Sequence, residues 1–200
     1  MTPANAIVKS DPDTQKLPPR ERILNAASEL FFRQGVRGVG VDAIAEAAGT
    51  NKMTLYRHFA SKDELVAECL RRFANQVELA WVGLRDGMPD PKARLRRWIN
   101  EVGNRVTDPN DRGCALINAA VELPEKDHPA RRVVEAFKSA QRVRLVELCG
   151  EAGARDPERL ADELFLLIEG ARVCAQSMGP KGPCCQLVRL GDTILTAHGA

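Results

Sequence analysis

The stretch Ile44-Ala45-Glu46-Ala47-Ala48-Gly49-Thr50-Asn51-Lys52-Met53-Thr54-Leu55-Tyr56-Arg57-His58-Phe59 decides how the chain is read. Val41, Ile44, Ala45 and Ala48 fall on one face of a helix, and Gly49 is a natural stop for it. Asn51 is a good N-cap, and Leu55 and Phe59 follow at i, i+4 as the apolar side of a second short helix. Two short helices joined by a tight glycine turn form a helix-turn-helix pattern, placed here at about 41–60. Away from Leu55 and Phe59 stand Lys52, Thr54, Tyr56, Arg57 and His58, which bring charge, hydroxyls and a flat ring together. That mixture suits phosphate positioning and base-edge contact in a major groove. By pattern alone it suits an ordinary solvated helix face equally well.

Working outward, the same helical period continues on both sides. Pro18-Pro19 opens a preceding helix with Ile23, Leu24, Ala27, Leu30 and Phe31 inward and Gly35 as its stop. Ser61 with Glu64 three residues on reads as a capping box for a long fourth helix. Its stripe is Leu65, Val66, Cys69, Leu70, Phe73, Val77, Trp81 and Leu84, and Gly87 with Pro89 ends it. Further amphipathic helices are predicted over 91–107, 113–123 and 129–150, from Asp156-Pro157 to Met178, and after the Gly179–Pro183 break. In the third of these, Val133, Phe137, Ala140 and Leu148 are expected to face inward. No segment alternates with period two over a useful length. The expectation is an all-α chain of about nine helices. It comprises an arm at 1–17 without order, a three-helix domain at 18–78, and a helical domain at 79–200 joined to it by the fourth helix.

Composition narrows the classes. A 44% hydrophobic content builds a core mainly of Leu, Val, Ile and Ala, because rings are few. The net charge of +2 does not announce a nucleic-acid binder, although residues 33–62 hold Arg33, Arg37, Lys52, Arg57 and Lys62 against Asp42 and Glu46. Lys9, Asp11, Asp13 and Lys16 interrupt any leader-like apolar run, and no uncharged run approaches the roughly 18 residues of a membrane span. Six cysteines lie scattered, none as CxxC and none beside a histidine, so neither a disulfide framework nor a zinc site is expected. No metal, no cofactor, no membrane partner and a cytoplasmic location are therefore expected. Gly38-Val39-Gly40-Val41-Asp42-Ala43 matches a relaxed dinucleotide motif, but that motif requires a preceding strand, and a helix precedes it here. There is no GxSxG, HExxH or P-loop, so an enzyme is not expected. Glu122, Glu125, Asp127 and His128 read as a solvated turn in preference to an acid/base or metal cluster.

The central stretch, followed by Ser61-Lys62-Asp63-Glu64-Leu65, resembles the DNA-binding signature of TetR-family (TetR/AcrR) regulators. Those proteins carry an Ile-Ala-x-x-Ala-Gly turn, a Thr-Leu-Tyr-x-His-Phe recognition helix and a Ser-Lys-Glu-Glu-Leu-like start of the fourth helix. The resemblance spans residues 18 to about 78. It implies a homodimeric transcription regulator that binds double-stranded operator DNA. It also implies an effector-binding and dimerisation domain, and repression relieved by a small molecule. Carried over by position, Asn51, Lys52, Thr54, Tyr56, His58 and Lys62 become DNA-contacting residues, and Arg57, at a variable position, becomes the candidate for sequence readout. Gly40 stands where the family has Ser or Thr at the start of the second helix, which removes one phosphate contact. Thr50 replaces a usual aliphatic residue.

The remainder of the chain says less. Arg112–Ala120 resembles a segment of some TetR-type proteins, including electrophile-responsive ones with a nearby cysteine. Trp81, Trp98, Cys114, Asn118 and Phe137 are the candidate effector-pocket residues, with a core role open for each aromatic and for Cys114. Two alternatives stay open here: a redox or electrophile sensor acting through Cys114, and an activator. By the same resemblance, Leu160, Leu164, Leu167, Ala171, Met178, Leu187 and Ile194 are expected to form the dimer seam.

Overall fold

A computed structural model describes residues 17–200 of the chain. The arm expected at 1–17 lies outside the described residues except for Leu17. Among the described residues there are nine α-helices and no strand. They are α1 Pro19–Gln34, α2 Val41–Ala47, α3 Lys52–His58, α4 Lys62–Gly87, α5 Pro91–Val106, α6 Ala115–Glu122, α7 Pro129–Glu151, α8 Pro157–Met178 and α9 Leu187–His198. A 3₁₀ turn, Pro183–Gln186, precedes α9. The all-α expectation holds, and each predicted helix is present.

The described residues divide into two compact units, one of residues 17–80 with Ala115–Ala136 and one of Trp81–Cys114 with Phe137–Ala200. α6 and the start of α7 cluster with the first helices, a grouping that helical periodicity cannot reveal.

In the first unit the local signals act as their chemistry dictates. Pro18 and Pro19 start α1, where a missing N–H has no intrahelical partner to lose. Gly35 ends it at φ +78°, a conformation that favours glycine. Ile23, Leu24, Ala27, Ile44, Ala45, Leu55, Phe59 and Leu65 are all buried. The Ser61 hydroxyl accepts from the Glu64 N–H at 3.1 Å, while the Glu64 carboxylate turns to Arg71 at 2.9 Å. One arm of the expected capping box forms and the other is replaced by an ion pair.

The second unit is built around α8. Leu95, Ile99 and Val102 of α5, Leu145 and Leu148 of α7, Leu160, Leu164 and Ile168 of α8, and Leu187 and Leu195 of α9 make one buried cluster. α5 and α9 approach closely because two glycines let them. A Cβ on Gly103 would stand 2.6 Å from Val188 Cγ2, and one on Gly191 would stand 2.9 Å from Ile99 Cγ2.

This core corrects the expected dimer seam. Leu160 and Leu164 are 0% exposed and Leu187 is 1% exposed within a single chain, and Ala171 is buried with them. Leu167 and Ile194 are partly buried against the same cluster. Of the seven residues, Met178 alone is exposed, at the last position of α8, and the exposed large apolar side chains on the face opposite Leu164 are instead Leu166 and Val173. The cause is that α8 has two apolar faces, and the richer one is covered by α5 and α9 of the same chain. Along α7 Phe137 and Leu148 are buried as expected, and the other two expected positions are each displaced by one residue. Val134 and Gln141 are buried, Val133 is half-buried and Ala140 is exposed.

Candidate nucleic-acid interface

α3 is a seven-residue helix held by both ends and one buried side chain. Asn51 sits in extended geometry, and its Oδ1 accepts from the Thr54 N–H at 2.9 Å. Asn51 is thus a cap, and its side-chain oxygen is already engaged. Gly49 turns the chain at φ +60° before it. Leu55 is 0% exposed and Phe59 is buried, so the helix cannot roll without losing its anchor.

α1 and α4 brace this arrangement. The Arg20 guanidinium lies 5.2 Å from the Phe59 ring centroid and pairs with Glu68 at 2.9 Å. Arg72 donates to Asn25 at 2.7 Å and pairs with Glu21 at 3.4 Å. Arg20 first, and Arg71 with it, hold the Glu68 carboxyl below its ordinary range. Cys69 lies in the same wall, and burial pushes its thiol up to about 12, which leaves it an inert core group.

With Leu55 inward, α3 presents the opposite side to solvent. Lys52, Met53, Tyr56, Arg57 and His58 are exposed, as are Gly40 and Asn51, while Thr54 and Lys62 are partly covered. Lys52 Nζ rests 3.3 Å from Asp42, but both side chains are more than half exposed. Such a pair is worth little, and Lys52 is free to exchange that carboxylate for a phosphate. Met53, 77% exposed, escaped the sequence reading. Its spacing of three and four residues from Tyr56 and Arg57 was the available signal, because those offsets share a helix face. An apolar tip beside polar side chains is of a kind that suits a thymine methyl.

Trp81 and Trp98 pack edge to face, with centroids 5.7 Å apart and planes at 85°. Trp98, Cys114 and Phe137 are buried in the second unit, whereas Asn118 belongs to α6 in the first. The acidic turn is engaged internally. Glu122 accepts from the Arg37 N–H at 3.1 Å, Glu125 pairs with Arg37 at 3.3 Å, and His128 stands 3.4 Å from Asp63. No three metal-ligating side chains are grouped among the described residues, and none of the described helices is long and apolar enough to cross a membrane.

Residues 23–69, covering α1 to the start of α4, match the model of bacterial regulatory proteins of the tetR family. The chain is 30% identical over 163 residues to the transcriptional regulator AcuR of Cereibacter sphaeroides, covering 76% of this chain and 73% of AcuR. It is 27% identical over 166 residues to the transcriptional repressor DhaR of Mycobacterium sp. strain GP1, covering 78% of this chain and 81% of DhaR. A crystal structure of a TetR-type transcriptional regulator from Streptomyces avermitilis matches with a TM-score of 0.79 at 32% identity, over 92% of this chain and 99% of that one. The exposed recognition face, the cap and the core of the helix-turn-helix agree with these likenesses at once, and the chain belongs to the TetR family of DNA-binding transcriptional regulators.

Proposed function

We propose that this regulator is a cytoplasmic homodimeric repressor that grips a near-palindromic operator through α3 and is released by a small-molecule effector. The observation that carries the reading is the face of α3. It holds Lys52, Tyr56, Arg57 and His58 in solvent while Leu55 locks the helix beneath. A cation, a phenol, a guanidinium and an imidazole on two turns satisfy both halves of DNA recognition: phosphate contacts that set position and base-edge contacts that set sequence. Lys62, at the first position of α4, adds a second phosphate contact.

Homodimerisation rests on the exposed Leu166 and Val173 of α8, two apolar side chains on one helix face that a second copy would cover. Two such copies meet half-sites roughly 34–36 Å apart, which makes the operator a near-palindrome. Repression is favoured because DhaR, alike over four-fifths of its length, is named a repressor. Release by a noncovalent effector is preferred to electrophile sensing, because Cys114 is 8% exposed and offers little access to a reagent. Release requires the effector to prefer the DNA-incompetent state, by a coupling of about 1–3 kcal/mol in typical cases.

The test is fluorescence anisotropy with DNA from immediately upstream of the regulator's own coding sequence, against random duplex, across a salt series. Tighter binding to the upstream DNA, with affinity for both falling as salt rises, is expected. Equal affinity for the two at every salt concentration refutes operator recognition.

A further inference from the structure

The helix-turn-helix is gripped where the chain enters it and where the chain leaves it, and both grips come from one distant segment. Residues 122–128, from the end of α6 to the start of α7, lie in the first unit with α1, α2, α3 and the greater part of α4. On the entry side, Glu122 Oε2 accepts from the Arg37 N–H at 3.1 Å, four residues before α2 begins. On the exit side, His128 Nε2 faces Asp63 Oδ1 at 3.4 Å, in the first turn of α4. The other ring nitrogen orients the imidazole, because Nδ1 accepts from the Ala130 N–H at 3.1 Å.

The entry grip is built against local preference. Glu122 is the last residue of α6, and its carboxylate lies against Gly35, the C-cap of α1. It therefore stands at the C-terminal ends of two helices, where free carbonyls favour a cation over an anion. Yet the space is shaped for it. A Cβ on Gly35 would stand 2.9 Å from both carboxylate oxygens, so glycine is what leaves them room. Val36 and Val39, both buried, fasten the loop on either side of Arg37. The Glu125–Arg37 pair adds little to this, since both side chains are more than half exposed. A residue that breaks a local rule inside a fitted space points to a role other than stability.

We infer that Glu122 is a positioning residue for operator recognition. By holding the Arg37 N–H it sets the path of the chain into α2, and α2 leads through the Gly49 turn into α3. Without Glu122 the loop opens locally, and α3 keeps its phosphate contacts while losing register with the base edges. Sequence preference then suffers before affinity for random DNA does. This deepens the operator reading above, on which its consequence for DNA binding rests, whereas the grip on the loop stands independently of it.

The experiment compares the full chain with Glu122→Gln and Glu122→Ala. Both variants remove the negative charge, and glutamine alone keeps an oxygen for the Arg37 N–H. Amide hydrogen exchange at Arg37, followed by NMR, reads the grip directly. Exchange in Glu122→Ala is expected to be roughly tenfold faster than in wild type, with Glu122→Gln restoring most of the protection. Anisotropy should show Glu122→Ala binding upstream DNA roughly tenfold more weakly than Glu122→Gln, with equal affinity of the two for random duplex. The melting temperatures of all three should agree closely, because relief of a carboxylate at two helix ends offsets the lost hydrogen bond. Unchanged exchange at Arg37 in Glu122→Ala overturns the proposal. So does equal binding of upstream DNA by the two variants when wild type prefers that DNA. A Glu122→Ala protein that melts well below wild type also overturns it, because Glu122 would then serve stability. Wild-type protein that fails to prefer upstream DNA strikes the operator reading instead, and the exchange data then decide the grip separately.

Discussion

Two leucines, two residues apart on α8, should behave oppositely. Leu164 is 0% exposed in the core of the second unit, and Leu166 is 72% exposed on the other side of the same helix. Leu164→Ala removes three buried carbons, worth about 2.4 kcal/mol of transfer free energy at about 0.8 kcal/mol each. The cavity left behind raises the total into the range of about 2–5 kcal/mol. The upper half of that range is expected, because α5 and α9 are already packed closely against each other and cannot shift into the gap. For a chain of this length, about 1 kcal/mol moves the melting temperature by roughly 2–4 °C, so a fall of at least about 6 °C is expected. Leu166→Glu should change the stability of the isolated fold by no more than about 0.5 kcal/mol, yet abolish the proposed dimer by placing a charge on its apolar face. Sedimentation velocity across a concentration series reads the assembly. Melting at matched concentrations reads stability, since a dimer's melting temperature depends on concentration. An Leu164→Ala protein that melts with wild type, or an Leu166→Glu protein that still sediments as a dimer, would refute the division of α8 into an internal and an external face.

Other expectations follow from single contacts. Lys52→Ala should weaken binding to upstream and random DNA alike and reduce the salt slope by about one charge, whereas Arg57→Ala should relax sequence preference by roughly 1–3 kcal/mol. Equal losses on both DNAs for Arg57→Ala, measured by anisotropy, would remove its readout role. Gly103→Ala places a methyl 2.6 Å from the stiff Val188 side chain, and should destabilise by about 1–3 kcal/mol in urea titrations despite alanine's better helix propensity. For Glu68, whose carboxyl titrates below its ordinary 4.5, the stabilisation is fully present above that value and is lost as pH falls through the lower, folded-state value. Glu68→Gln should therefore be less stable than wild type at neutral pH, and the gap should close in acid, as read by melting from pH 7 downward.

The DNA-binding part was legible in the sequence because its signals are local. A cap acts on an N–H three residues away, as Asn51 does on Thr54. A turn needs one glycine at positive φ, as at Gly49, and a helix face needs only the i, i+4 pair Leu55 and Phe59. Each is complete within a turn or two of chain, so residue order alone determined the nine helices and the recognition face. What lies between helices was decided elsewhere. α8 carries apolar residues on two sides, and periodicity could not say that Leu160 and Leu164 go to the chain's own core while Leu166 and Val173 remain outside. That choice is made by α5 and α9, whose approach depends on Gly103 meeting Val188 and Gly191 meeting Ile99 across distant stretches of sequence. Local chemistry determines which segments are helices. The pairing of faces depends on shape and charge contributed by residues far apart in the chain, which appear only when the chain is folded.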